Sequence, residues 1–171
     1  DLMAETSGLL DRFDLGPDAR RALARPVVSL LTTPALRAAA VALESRFVEA
    51  ALGALHTADL RNFGHGRHHW FAKRGDGTGV VALIGDRQSR LADKTLALLP
   101  DQVPVLRIDF RGKADVQGLT GLIVGLHLSA YAGETSGIDP GKPGVPEFGR
   151  KLYHLGPGIA RPKGEEAHFV A

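Results

Sequence analysis

The sequence predicts an α/β fold, a three-layer αβα sandwich around a mostly parallel sheet. Short apolar runs rich in Val, Leu and Ile recur along the chain, as in strands that are buried on both faces of a sheet. Amphipathic stretches of helical period lie between these runs, and strands that alternate with helices favour parallel crossovers. A region rich in Gly and Pro follows the last long helix and predicts an irregular C-terminal tail.

Each element is assigned from the spacing of its apolar residues and from the residues that start or stop it. Gly16 and Pro17 interrupt the first amphipathic pattern, which predicts two short helices rather than one. Pro34 suits a first helical turn, and the preceding Thr33 can cap it. In chain order we expect helices within 3–25, a strand at 26–31, a helix at about 35–55, a strand at 80–85, a helix at 89–99, a strand at 103–110 and helices at 116–133 and 147–153.

The helix expected at 116–133 carries an apolar stripe on one side. Its members recur at three- and four-residue spacing, which is typical of a face that packs on a core. They are Leu119, Leu122, Ile123, Leu126 and Ala130.

Composition also indicates how the chain is divided. Half of its ten prolines lie between Pro140 and Pro162, where many glycines accompany them. We therefore expect a helical linker at 1–25, one α/β domain at 26–155 and a tail at 156–171. Because the first residue is Asp1 rather than Met, we expect the chain to be either a fragment or a processed product.

The bulk properties argue against several classes of function. The net charge is only +2 and no block of Lys and Arg is present, so a nucleic-acid partner is not expected. The chain has no cysteine, which excludes disulfides, thiol nucleophiles and cysteine-ligated zinc and fits a cytoplasmic location. No apolar run reaches the roughly 18 residues of a membrane span, so no membrane partner is expected.

Parallel sheets place ligands at the carboxyl ends of their strands, which draws attention to the residues found there. Thr32 and Thr33 follow the first predicted strand and are candidate substrate-binding residues. Arg61, Arg67 and Arg111 can each receive a phosphate or another anion, and Arg67 is selected as the candidate substrate-binding arginine. The chain contains neither a G-x-G-x-x-G motif nor a Walker-type loop, so a dinucleotide or P-loop assignment has no basis and no cofactor is expected.

Two motifs resemble a known family. Arg46-Phe47-Val48-Glu49 lies sixteen residues before His65, counted from Glu49, and His65 is flanked by Gly64 and Gly66. This arrangement resembles the helix K-L-K-E and the later E-L-K-H-G-P of the second sugar-isomerase (SIS) domain in the glucosamine-fructose-6-phosphate aminotransferase family. Asn62 falls on the glutamate of the second motif, and Arg67 replaces its proline. Near the end of the chain, Lys151 falls on a family lysine when Pro146 is set on the family proline.

The resemblance implies a phosphosugar aldose–ketose isomerase of double-SIS type. It implies that Glu49 moves a proton between adjacent sugar carbons, that His65 assists ring opening, and that Lys151 contacts the open-chain sugar. The family's phosphate-binding loops belong to the first SIS domain and have no match here. The resemblance therefore implies a sugar-phosphate ligand, a missing N-terminal SIS lobe or partner chain, and a homo-oligomer.

Other interpretations remain open for these residues. Glu49 can simply pair with Arg46 on the helix surface, and the cluster of His65, His68 and His69 can hold a metal or lie in a loop without chemistry. The chain can also be a non-catalytic module that binds a sugar phosphate or nucleotide sugar, or a structural subunit. The change of the family glutamate to Asn62 and the loss of the motif's proline favour the binding module.

Overall fold

A computed structural model describes residues 2–11 and 16–156 of the chain. At its centre is a four-stranded sheet in which all neighbouring strands are parallel. The strands are β1 (Val27–Thr32), β2 (Ala54–Asp59), β3 (Thr78–Gly85) and β4 (Val105–Phe110). Their order across the sheet is β2-β1-β3-β4. The chain places β2 on one side of β1 and then adds β3 and β4 on the other side, so the strand order reverses between β1 and β3.

Helices cover both faces of this sheet, which confirms the predicted three-layer α/β class. They are α1 (Leu2–Asp11), α2 (Pro17–Leu23), α3 (Arg37–Glu49), α4 (Leu60–Asn62), α5 (His69–Arg74), α6 (Ser89–Leu96), α7 (Ala114–Ser136) and α8 (Glu147–Tyr153). Side chains from α1, α2, α3 and α7 join one face of the sheet in a single core. Side chains from α4, α5 and α6 form a second core on the opposite face.

The central strand β3 owes its position to apolar side chains on both faces. All eight of its residues are buried. Val81 and Leu83 enter the core beneath α3 and α7, whereas Val80 and Ile84 enter the opposite core. Since β-branched side chains pack well on a pleated surface, this run is a strong strand former. The strand was therefore predictable from sequence.

The helix expected at about 35–55 ends earlier than predicted, and the strand β2 follows it. Ala51 adopts a left-handed backbone with φ of 55°. Its N–H donates to the Val48 carbonyl, and the Leu52 N–H donates to the Phe47 carbonyl at 2.8 Å. This is the Schellman ending of a helix, which glycine usually provides. Because this position holds alanine instead of glycine, the sequence carried no helix-ending signal, and the apolar pattern predicted a helix that continues into β2.

Helix α7 exists as predicted, but the face expected to be buried is the wrong one. Leu119 and Leu126 are exposed, whereas Thr120, Gly121 and Leu128 are buried. A Cβ built on Gly121 would lie 2.9 Å from the Cβ of Ala39 on α3. Because α3 and α7 approach so closely, small residues occupy the contact. Of the expected stripe, Leu119 and Leu126 are exposed and Leu122 and Ile123 are only partly buried.

The first two helices pack on the sheet and on α7. Ala22 and Leu23 of α2 are buried, and Thr6 of α1 lies 3.1 Å from Thr120 of α7, oxygen to oxygen. At the other end of the chain, α8 matches its predicted range and contains no buried residue. Residues 12–15, within the expected linker, and 157–171, most of the expected tail, lie outside the described residues. No helix among residues 2–11 and 16–156 has the length and apolar character needed to cross a membrane.

Candidate functional site

A groove of about 960 Å³ opens at the carboxyl ends of β1 and β2. It lies next to the β1–β3 boundary, where the strand order reverses. In parallel α/β sheets ligands bind at such a point, because the loops on its two sides diverge and leave a crevice. Polar side chains contribute much of the lining. They come from Thr32, Thr33, Arg37, Thr57, Asp59, Arg61, Asn62, His65, Arg67 and Gln88.

The groove brings together most of the residues selected from the sequence. Both substrate-binding threonines line it, as do the three residues from the segment after β2. These residues are Thr32, Thr33, Asn62, His65 and Arg67. Two of the seven predicted site residues, Glu49 and Lys151, are not among its lining residues.

Asp59 at the end of β2 shapes the segment that follows. Its carboxylate accepts hydrogen bonds from the backbone N–H of Arg61 at 2.9 Å and of Asn62 at 2.8 Å, so it caps α4. The Asn62 side-chain amide donates to the second carboxylate oxygen. The backbone hydrogen bond from Asn62, above all, lowers the pKa of Asp59 below its ordinary value of 3.8. Asp59 therefore remains an anion, and it holds the Asn62 side chain at the groove.

A tight turn places His65 and Arg67. Gly66 has a φ of +131°, a value that side chains strongly disfavour. His68 closes the turn, since its backbone N–H donates to the Phe63 carbonyl at 3.2 Å. Arg67 donates to the Thr57 carbonyl at 3.2 Å, which fixes its guanidinium against β2. Gly66 of the Gly64-His65-Gly66 motif is thus needed for the backbone conformation of this turn.

The two threonines at the end of β1 hold the floor of the groove. Thr33 is 1% exposed, and its hydroxyl accepts a hydrogen bond from the Gly85 N–H at 2.9 Å. Thr32 donates to the Thr33 carbonyl at 3.3 Å. Nearby, the buried Gln117 side chain donates to Asp86 and to the Gly112 carbonyl. The hydrogen bond between Gly85 and Thr33 joins the ends of β3 and β1, so Thr33 has a structural role besides any contact with a ligand.

The charge of the groove favours an anion. Three arginines, Arg37, Arg61 and Arg67, line it, and among residues 2–11 and 16–156 Asp59 is the only carboxylate in its lining. Arg37 was missed in the sequence, where it lies three residues after Pro34 and belongs to no motif. Since guanidinium groups bind phosphate and carboxylate groups with charge-assisted hydrogen bonds, the lining suits a phosphorylated ligand.

Glu49 and Lys151 lie away from His65. Glu49 ends the thirteen-residue helix α3, whose first residue, Arg37, lines the groove. At about 1.5 Å per residue this separates the two ends of α3 by roughly 18 Å. Glu49 accepts a hydrogen bond from Ser45 at 2.6 Å rather than from Arg46. Lys151 lies on the exposed helix α8, where it pairs with Glu147 at 3.1 Å.

The histidine cluster does not form a group of metal ligands. The rings of His68 and His69 stack with their centroids 4.4 Å apart, and His68 is held to the Phe63 carbonyl. Within residues 2–11 and 16–156, no three His, Cys, Asp or Glu side chains converge to hold a metal ion. Of these three histidines, His65 lines the groove, together with the arginines, and His68 and His69 do not.

The fold and the groove therefore define an α/β protein with a cationic crevice at the carboxyl edge of a parallel sheet. Its lining can hold an anion and, through His65, can donate or accept a proton. No family model, curated protein or solved structure matches the chain.

Proposed function

We propose that this chain is an SIS-like module that binds a sugar phosphate in the groove. One observation supports the proposal most directly: the substrate-binding residues selected from the sequence line the same cationic groove. The phosphate lies against Arg37, Arg61 and Arg67, and the N-terminal end of α3 adds its favourable dipole. The sugar lies over Asn62 and His65, whose polar atoms match hydroxyl groups.

Isomerisation is the second candidate, and it needs more than one copy of this lobe. An enediol mechanism requires a base beside the carbons that exchange a proton and a second group that assists ring opening. His65 lines the groove, but Glu49 and Lys151 lie elsewhere on the chain. The complete site then includes a first SIS lobe or a second copy of this chain. A cytoplasmic location belongs to the same proposal and accords with the absence of cysteine.

Calorimetric titration tests the binding proposal. We expect fructose-6-phosphate and glucosamine-6-phosphate to bind, and unphosphorylated fructose to bind much more weakly. Replacing Arg37→Gln should weaken phosphate-ester binding about tenfold or more, because a hydrogen bond to a charged group contributes about 1.5–3 kcal/mol. Arg90→Gln is the matched control, since Arg90 is an exposed arginine outside the groove lining. Equal binding of fructose and its phosphate would contradict the proposal.

A turnover assay separates the two candidates. The conversion of fructose-6-phosphate to glucose-6-phosphate is measured for the chain alone and for the protein encoded by the complete gene. If isomerisation occurs, Glu49→Gln should abolish turnover and leave calorimetric binding intact. If the chain is a binding module only, Glu49→Gln changes neither quantity, and no turnover is seen with either protein.

A further inference from the structure

A second cavity of about 310 Å³ adjoins the groove. Arg67 and Ala58 line both spaces and therefore form the boundary between them. The smaller cavity is near the lower end of the range of ligand pockets, about 300–1,000 Å³. It is thus suited to one ring or branch of a ligand whose remaining part lies in the groove.

The floor of this cavity is polar, although it lies on the sheet. Ser29 on β1 and His56 on β2 are register partners in adjacent parallel strands, so their side chains point to the same face. Both line the cavity, and Ser29 is only 7% exposed. A hydroxyl and an imidazole can each donate or accept a hydrogen bond. The floor therefore presents hydrogen-bonding groups to the edge of a ligand.

The walls of the cavity are aromatic and firmly held. The Trp70 indole donates to the Thr78 hydroxyl at 2.9 Å, and its ring meets the His56 ring edge-on with centroids 5.1 Å apart. Phe71 is 5% exposed and packs edge-on against Phe63 at 5.5 Å. These contacts fix the rings before any ligand enters, which lowers the ordering cost of binding.

We propose that the cavity receives the base of a nucleotide whose phosphate lies in the groove. This inference rests on the proposed function, because it places the phosphate at the same arginines. A nucleobase has an apolar face for the Trp70 ring, which is 39% exposed, and a hydrogen-bonding edge for Ser29 and His56, while the buried Phe71 closes the wall. A sugar ring does not offer such a flat apolar face, and an alkyl chain does not use the polar floor. Arg67 lies between the base and the phosphate.

The test compares ligands that differ only in the base. Uridine monophosphate, adenosine monophosphate, ribose phosphate and inorganic phosphate are titrated into the full chain by calorimetry. Stacking on an aromatic side chain is expected to make at least one nucleotide bind about 5- to 150-fold more tightly than ribose phosphate. If ribose phosphate binds and neither nucleotide binds more tightly, the base cavity is refuted while the phosphate groove stands. If no phosphorylated compound binds, the proposed function is refuted together with this inference.

Two variants locate the effect. Ser29→Leu fills the floor of the cavity, and His56→Val removes the imidazole while keeping a residue that suits a strand. Each should reduce nucleotide binding towards that of ribose phosphate and leave the affinity for inorganic phosphate unchanged. His56→Val provides the result if Ser29→Leu does not fold, as judged by circular dichroism. A nucleotide preference that survives in the folded variants would overturn the inference.

Discussion

Two leucines on α7, only two residues apart, provide a sharp test of the packing in this fold. Leu128 is fully buried, whereas Leu126 is 53% exposed. The spacing of apolar residues in the sequence predicts the opposite for Leu126, which belongs to the expected core stripe. Replacing each leucine by alanine in turn leaves the residue types matched. Any difference in stability then reports on burial alone.

The expected magnitudes follow from that burial. Leu128→Ala removes a fully buried side chain and leaves a cavity, which costs about 2–5 kcal/mol. Leu126→Ala removes a side chain that is already about half in solvent, so it costs at most about 1 kcal/mol. For a chain of 171 residues, each kcal/mol lowers the melting temperature by about 2–4 °C. Leu128→Ala should therefore lower the melting temperature by at least about 4 °C, and Leu126→Ala by less.

Thermal melts followed by far-ultraviolet circular dichroism measure both variants under the same conditions. Leu126→Gln and Leu128→Gln widen the contrast, because a buried amide without a partner adds a further cost. If Leu126→Ala lowers the melting temperature as much as Leu128→Ala, the orientation of α7 described above is wrong. The bulky stripe would then be the face that packs on the core.

Two further predictions concern the segment that lines the groove. Gly66→Ala should cost about 1–3 kcal/mol, since Gly66 has a φ of +131°, and should weaken phosphate binding by displacing its neighbours. Gly64→Ala is the control, because Gly64 has no such φ and no atom lies near an added Cβ. Equal losses of stability in the two variants would contradict a special backbone requirement at Gly66. Because the pKa of Asp59 is lowered on folding, its charge stabilises the protein above pH of about 4. That contribution should fade as the pH falls further, so the melting temperatures of wild type and Asp59→Asn should converge in acid; a constant difference would contradict it.

Much of the fold was predictable because its signals are local. The buried strand β3 is a continuous apolar run, and Gly66 lies beside the histidine that its turn presents. The edge strand β2 was missed because it is half exposed and carries polar residues such as His56 and Asp59. Such a strand lacks the apolar run that marks a central one. Because Ala51 rather than glycine ends α3, no residue marked the boundary between α3 and β2.

The candidate site was predictable in part for a similar reason. Thr32 and Thr33 follow a recognisable strand, and strand ends in parallel sheets meet at one edge. Arg37 and Asp59 carry no motif, and only the folded chain brings them to the same groove. The same holds for the pairing of Ser29 with His56, which depends on the register of two strands.

The sequence by itself determined the α/β class, three of the four strands and five of the residues that line the groove. Those properties follow from the spacing of apolar residues along short segments and from residues that restrict the backbone. Only the tertiary structure decided which face of α7 is buried, where β2 lies and which charges share the groove. These outcomes depend on how closely the helices and strands approach one another. Where two helices come as close as Gly121 and Ala39 do, only small side chains fit, although the spacing of apolar residues alone would predict large ones.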